Sequence, residues 1–162
     1  DVQRDFCPGG ALAVPRGDEV VPVINRLLAL TDWLTVATRD WHPVDHCSFK
    51  AQGGIWPPHC VAGREGAAFH PALDEARIRH VVSKATTRDV EAYSGFQGTG
   101  LAAVLASRGI RRALICGLAT DYCVKATALD ANGLPTASVP LSPAPGGVKC
   151  VLPRNALYVC IE

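Results

Sequence analysis

The sequence contains no methionine and no C-x-x-C pair of cysteines. Its seven cysteines are odd in number and irregularly spaced, which argues against a disulfide framework and against a four-cysteine zinc site. Reduced thiols fit this pattern better, so we expect a reducing compartment and, by default, the cytoplasm. Because the initiator methionine is missing, we also expect the N-terminus to be incomplete.

The sequence also lacks any strong excess of charge. Its formal net charge is +1, which gives no electrostatic reason to expect nucleic acid or an anionic membrane as a partner. It has no uninterrupted apolar stretch near the length that crosses a bilayer and no basic-then-apolar leader. A small, weakly charged binding partner is therefore expected. The 162 residues, 48% of them hydrophobic, suffice for one domain with one core, over residues 1–162.

The chain alternates helix-like and strand-like patterns. Helical spacing of apolar residues predicts helices at residues 20–30, 99–107 and 122–131, and short apolar runs predict strands at residues 33–38, 80–83, 110–116 and 135–139. Such alternation indicates an α/β fold: a three-layer, doubly wound, mostly parallel sheet with helices on both faces. In these sheets the ligand site lies beyond the carboxyl ends of the strands. One edge should therefore collect Asp40, Lys84 and the turn that contains Cys123.

Cys123 is the candidate nucleophile. It follows a turn that Gly117 opens, between a predicted strand and a predicted helix. Near a helix N-terminus the helix dipole lowers a thiol pKa and stabilises the thiolate. A small buried hydrophobic residue is the other interpretation of a free cysteine, and the turn by itself leaves both open.

Residues 39–70 form the longest stretch without periodicity and are rich in Pro, Gly, His and Trp. Loops of that length in a compact domain are usually functional. Asp40 and His42 project to the same side in extended backbone, and His59 could complete a set of three ligands that leaves positions open for water and substrate. Carboxylate and imidazole ligands suit zinc, iron or manganese. The spacing alone also fits a loop turn with a surface histidine.

These segments occur together with others in an order that resembles a known family. The sequence is similar to the nicotinamidase branch of the isochorismatase-like cysteine hydrolases over roughly residues 1–131. The similarity rests on Asp1-Val2-Gln3 and the residues up to Leu12, and on the segments at 38–43, 53–61, 83–86, 91–96 and 117–128. Several separate motifs in family order are more specific than any single motif.

The resemblance implies a role for each reactive residue. Cys123 is the nucleophile, Asp1 is the acid and base, and Lys84 keeps Asp1 ionised and stabilises the thiolate. The backbone N–H groups of Ala119 and Cys123 bind the oxyanion, and the Leu118–Ala119 peptide bond is cis. Asp5 caps or pairs near the loop rather than reacting.

The resemblance also implies the ligands. Asp40, His42 and His59 bind one divalent metal ion, with zinc expected and iron or manganese as alternatives, while His46 and Ser48 are outer contacts. Phe6 and Trp56 enclose a planar ring, and Tyr93 and Leu118 complete the substrate site. Nicotinamide is the expected substrate, and pyrazinamide should react as well.

The sequence departs from the family pattern at both ends. The family has a central strand immediately before the aspartate that Asp1 matches, so we expect the chain to lack the first strand and to be only marginally stable. Residues 140–162 are atypical, and residues 157–161 are expected to serve as a substitute final strand. Two other functions stay open, a metal-free hydrolase of this family with another substrate and an inactive remnant that binds a metal or ligand. A homo-oligomer is also compatible with the sequence.

Overall fold

The computed structural model describes residues 1–30, 33–111 and 113–131, together with the backbone of residues 157–160. Its helices are α1 (Val20–Leu28), α2 (Leu101–Ser107) and α3 (Lys125–Ala131). Its strands are β1 (Thr35–Asp40), β2 (His80–Lys84), β3 (Ala113–Cys116) and β4 (Leu157–Cys160). Each of the first six elements in the chain overlaps a helix or strand expected from the sequence. The strand expected at residues 135–139 lies outside the described residues.

The four strands form one parallel sheet in the order β2-β1-β4-β3. All carboxyl ends therefore meet at the same edge of the sheet. At that edge Asp40, the last residue of β1, is the register partner of Lys84, the last residue of β2. The sheet topology thus places a carboxylate and an ammonium group side by side.

The strand expected at residues 157–161 is confirmed over residues 157–160 as β4. The sequence did not place it in the sheet, where it lies between β1 and β3. Val159 is the register partner of Val36 on one side and of Ile115 on the other. Strand β4 therefore pairs on both sides, with β1 and with β3.

Helices cover both faces of the sheet. In α1 the buried residues Val21, Ile24 and Leu28 recur at helical spacing, and they pack in one cluster with Ala37 of β1. The neighbouring residue Val36 points to the opposite face and belongs to a second cluster, which includes residues of α2 and α3. This arrangement confirms the three-layer α/β fold with helices on both faces.

Cys47 is a free thiol in the structure. Over the described residues, every helix is too short or too polar to cross a bilayer.

Candidate active site

The residues expected to react come together at the carboxyl edge of the sheet. Asp40 and Lys84 end their strands, and Cys123 lies in the connection after β3. This connection contains a single π-helical turn, Thr120–Val124, which precedes α3. The candidate nucleophile therefore lies in a widened turn, whereas the sequence predicted one regular helix from residue 122. All three side chains are buried.

Lys84 is the centre of the site. Its Nζ atom lies 2.9 Å from Oδ2 of Asp1 and 3.4 Å from Sγ of Cys123, and it also donates to Oδ1 of Asp40. Both Asp1 and Lys84 have at most 1% of their surface exposed. A single buried ammonium group therefore holds two carboxylates and a thiol around it, in the arrangement that the family resemblance implied for Asp1, Lys84 and Cys123.

The buried charges of Asp40 and Lys84 stabilise each other. Burial by itself would raise the pKa of Asp40, but the Lys84 ammonium and His42 outweigh it and hold that pKa well below its usual range. Burial by itself would lower the pKa of Lys84, but the charges of Asp40 and Cys123 outweigh it and raise that pKa. The carboxylate and the ammonium are therefore both ionised at neutral pH.

Asp40, His42 and His59 offer three ligand atoms that all lie within 4.8 Å of one another. The Nδ1 atom of His59 lies 2.8 Å from the carbonyl oxygen of Pro57, so Nδ1 must donate and Nε2 keeps its lone pair. That Nε2 atom lies 4.0 Å from Oδ2 of Asp40, and Nε2 of His42 lies 3.5 Å from the same oxygen. The lone pair of His59 therefore faces the other two ligands.

His42 supplies the observation that tests whether the three residues suit a metal ion. It is buried, and neither of its ring nitrogens has a hydrogen-bond partner among the described residues. Buried polar atoms without a partner are rare because they are costly, and one explanation for them is a bound ion. Burial also lowers the pKa of His59, which keeps that imidazole neutral and able to bind a metal. The donor set therefore fits a divalent transition-metal ion.

A second group of three ligand atoms, from Asp1, Asp40 and Cys123, is equally compact. Lys84 bonds to all three of these residues. Because an ammonium group already neutralises this cluster, it does not offer a second metal site. The two clusters share Asp40, which therefore joins the candidate metal ligands to the candidate reactive residues.

His46 and Ser48, which we expected as outer contacts, lie behind His42. The ring of His46 lies 4.3 Å from that of His42, between centroids. Its Nε2 atom donates to the carbonyl oxygen of Val90, and its Nδ1 atom lies 2.8 Å from Oγ of Ser48. Both nitrogens of His46 are thus occupied, so it supports the His42 ring and is not placed as a ligand.

The sequence reasoning missed Gln3. Its amide lies against Asp40, accepting from the Asp40 N–H and donating to the Asp40 carbonyl, both at 2.8 Å, and it also donates to the Ala67 carbonyl at 2.9 Å. Gln3 is completely buried. It is part of the Asp1-Val2-Gln3 segment on which the resemblance rests, and that segment was the one available signal for its role.

A cavity of about 260 Å³ opens onto Cys123 and the candidate metal ligands Asp40, His42 and His59. Phe6, Trp56, Tyr93 and Ala119 line it, as the resemblance implied. Leu118 is not among the lining residues, because its buried side chain packs against Gly17 instead. The other lining residues, to which the sequence analysis assigned no role, are Leu12, Ala13, Val14, Pro15, Glu91, Asp121 and Tyr122.

Three aromatic side chains link separate loops at the cavity. The indole N–H of Trp56 donates to the hydroxyl of Tyr93 at 3.0 Å, and the Trp56 ring meets the ring of Tyr122 edge-on at 5.1 Å. Burial is the main cause that raises the pKa of Tyr93, so its hydroxyl stays protonated at neutral pH. On another wall, Phe6 meets the ring of His59 edge-on at 5.5 Å. Trp56 and Phe6 are thereby fixed by contacts on different parts of the chain.

The turn before Cys123 contains a cis peptide bond between Leu118 and Ala119, as the resemblance implied. Ala119 lines the cavity beside Cys123. The role of the backbone N–H groups of Ala119 and Cys123 as oxyanion donors stays a prediction.

Comparison with known proteins agrees with this geometry. Residues 1–136 match the model of the isochorismatase domain. A nicotinamidase of Escherichia coli (strain K12) is 42% identical over 158 residues, with 81% of this chain and 73% of the relative covered. The pyrazinamidase of Pyrococcus horikoshii in complex with zinc is 54% identical with a TM-score of 0.76, covering 82% of this chain and 75% of that one. PnC1 from L. infantum in complex with nicotinate is 43% identical with a TM-score of 0.82, covering 87% and 75%. The chain therefore belongs to the isochorismatase family.

Proposed function

We propose that this protein is a nicotinamidase that hydrolyses nicotinamide to nicotinate and ammonia through a cysteine thioester. The observation that carries the proposal is the Lys84 ammonium, which bonds to Asp1 and Cys123 on one side and to the metal-ligand candidate Asp40 on the other. The relatives support the choice of substrate, because nicotinamidases and pyrazinamidases are among them. The small apolar cavity lined by aromatic residues suits a planar heteroaromatic amide.

In the first half of the reaction, Asp1 takes the thiol proton of Cys123 and the Lys84 ammonium stabilises the resulting thiolate. The thiolate attacks the carboxamide carbon, and the oxyanion that forms is bound by the N–H groups of Ala119 and Cys123. Asp1 then returns the proton to the amide nitrogen. The C–N bond breaks, ammonia leaves, and the acyl group remains on Cys123 as a thioester.

In the second half, Asp1 takes a proton from a water molecule, and the hydroxide attacks the thioester carbon. The C–S bond breaks, which releases the carboxylic acid and restores the thiolate beside Lys84. The proton held by Asp1 returns to the sulfur, and the acid ionises to nicotinate. The Asp1 carboxylate, which is paired with Lys84, thus acts as base and acid in each half of the reaction.

Asp40, His42 and His59 are the residues that would hold the divalent ion, with zinc expected because the P. horikoshii relative is a complex with zinc. When bound there, such an ion would coordinate the ring nitrogen of the substrate and withdraw electrons from the ring. Phe6 and Trp56 are proposed to enclose the ring faces, with Tyr93 holding the Trp56 indole in place. Pyrazinamide has a similar ring and amide, so it should react as well.

The direct test is ammonia release from nicotinamide by the purified chain after loading with Zn²⁺, Mn²⁺ or Fe²⁺. Turnover of nicotinamide and pyrazinamide, with loss of turnover after chelation, is the expected result. Turnover that persists in the metal-free protein would favour a metal-free hydrolase of this family. Ligand or metal binding by folded protein without any turnover would favour an inactive remnant, and either result would reject the proposal.

A further inference from the structure

Asp5 lies next to the site but has no part in the proposed reaction. Its Oδ2 atom accepts from the backbone N–H of Cys60 at 2.7 Å, and its Oδ1 atom accepts from the N–H of Ala11 at 3.2 Å. The expectation that Asp5 pairs near the loop rather than reacting agrees with these contacts. Cys60 directly follows His59, so the Asp5 carboxylate binds the backbone next to a candidate metal ligand.

Cys60 has an unusual backbone. Its φ angle is 44°, in the left-handed region that residues other than glycine rarely adopt. Its N–H is held by Asp5, and its carbonyl accepts from the N–H of His42 at 3.0 Å. Both backbone polar groups of Cys60 are therefore used beside metal-ligand candidates. Without the bond from Asp5, the left-handed conformation would lose one of the contacts that offset its cost.

Gly66 lies directly against the Asp5 carboxylate. A Cβ atom added to Gly66 would lie 2.1 Å from Oδ2 of Asp5, the same oxygen that binds Cys60. The carboxylate is therefore held between the Gly66 backbone and the Cys60 N–H. Phe6, the next residue along the chain, lines the cavity and meets the His59 ring.

We propose that Asp5 is a positioning residue of the metal site, which fixes the left-handed backbone of Cys60 and thereby aims His59 at Asp40 and His42. The inference rests on the proposed metal site. It adds a requirement that the three ligands alone do not contain, namely a carboxylate with two acceptor oxygens at position 5. Groups that orient metal ligands typically change metal affinity by about 10–100-fold when they are removed.

The test uses the full chain, freed of metal with a chelator and titrated with Co²⁺, whose visible absorption reports ligand geometry. Affinity is measured by competition with a chelating dye. Wild-type protein should bind Co²⁺, and His59→Ala should lose the absorption band. If the wild type fails to bind Co²⁺, or if His59→Ala keeps the band, the proposed metal site fails before Asp5 is considered.

Two variants then disturb the Asp5 contact from opposite sides. Asp5→Asn keeps the volume but has one acceptor oxygen instead of two, and Gly66→Ala leaves Asp5 intact but displaces its carboxylate. We expect each to lower Co²⁺ affinity by about 10–100-fold and to shift the absorption band. Because both act on one contact, the double variant should bind about as well as the weaker single variant.

The controls are matched to each change. Asp74→Asn removes a carboxylate that pairs with the exposed Arg77, and Gly100→Ala adds a methyl group where no atom lies within 4 Å. Both should bind Co²⁺ like the wild type. Wild-type affinity and spectrum in folded Asp5→Asn or Gly66→Ala would overturn the proposal, and so would additive losses in the double variant. If both single variants lose the wild-type circular dichroism without metal, Asp5 is a folding residue and the proposal is likewise overturned.

Discussion

The ammonium nitrogen of Lys84 lies 3.4 Å from the sulfur of Cys123 and also forms ion pairs with Asp1 and Asp40. Lys84 therefore connects the residues proposed to react with those proposed to hold the metal. It reaches them because β1 and β2 pair in a register that sets Asp40 beside Lys84. The proposed reaction depends on this one buried cation.

Replacing the nucleophile should separate chemistry from metal binding. Cys123→Ala should lower the rate of ammonia release by about 10⁴-fold or more, because no other thiol lines the described cavity. Its bound metal content should equal that of the wild type. Cys47→Ala, which removes a partly exposed thiol that does not line the cavity, should keep full activity. Substantial turnover by Cys123→Ala would show that hydrolysis does not pass through this sulfur.

Removing the central cation should affect both rate and stability. Lys84→Met should lower kcat by at least about 10²-fold, because the thiolate loses its stabilising charge. It should also destabilise the fold by about 3–5 kcal/mol in a urea titration, because the buried carboxylates of Asp1 and Asp40 would lose the ammonium group that pairs with both of them. Lys125→Met, at an exposed lysine, should change neither value. A stable and active Lys84→Met enzyme would contradict the role proposed for this residue.

Metal affinity should depend on pH with a predictable sign. Burial lowers the pKa of His59 below the ordinary value of about 6.5, and only the neutral imidazole binds a metal. Lowering the pH from 8 to about 6.5 should therefore leave His59 neutral, and further acidification should protonate it and release the ion. Co²⁺ titrations across this range provide the measurement. A loss of affinity that begins above pH 7 would contradict this prediction.

The hydrogen bond between Trp56 and Tyr93 should contribute to substrate binding. Tyr93→Phe keeps the ring but removes the hydroxyl that accepts from the Trp56 indole N–H. Such a hydrogen bond contributes about 0.5–1.5 kcal/mol. The KM for nicotinamide should rise by about 2- to 12-fold with a smaller change in kcat. Tyr122→Phe, which keeps the ring contact to Trp56, should behave like the wild type. An unchanged KM in Tyr93→Phe would show that the hydrogen bond between Trp56 and Tyr93 does not contribute to substrate binding.

The interior position of β4 can be tested with proline. Val159→Pro removes one backbone N–H from a strand that pairs on both sides, and it should lower the free energy of unfolding by at least about 1–3 kcal/mol. Val159→Thr keeps the N–H and a β-branched side chain, so its loss should be smaller. Equal unfolding midpoints for the wild type and Val159→Pro would place this strand outside the sheet.

Much of the fold could be predicted because its signals are local. Helical spacing predicted α1, apolar runs predicted β1, β2 and β3, and strand ends predicted where Asp40 and Lys84 would lie. The sequence indicated that β4 is a strand, but its position in the sheet could not be predicted. Its neighbours β1 and β3 are distant in sequence, and local residue patterns do not specify the order of strands in a sheet.

The candidate site shows the same limit. The reactive residues and the metal-ligand candidates were expected from motifs, and the structure brings them together, although their roles remain predictions. The contacts of Gln3 could not be predicted, because its hydrogen bond to Asp40 joins residues that are 37 positions apart in the chain. Likewise, the left-handed φ of Cys60 has no sequence signature, since cysteine does not favour that region.

The interior strand β4 also bears on how the protein is made. A ribosome releases residues 157–160 long after β1 and β3, so the nascent chain holds these two strands with a gap between them until the last interior partner arrives. During synthesis both unpaired edges would be accessible to chaperones and to strands of neighbouring chains. Because Asp40 ends β1 and Cys123 lies in the connection after β3, on the two sides of that gap, the proposed catalytic centre should form only after translation of β4, and expression at low temperature or with added chaperones should raise the yield of soluble protein.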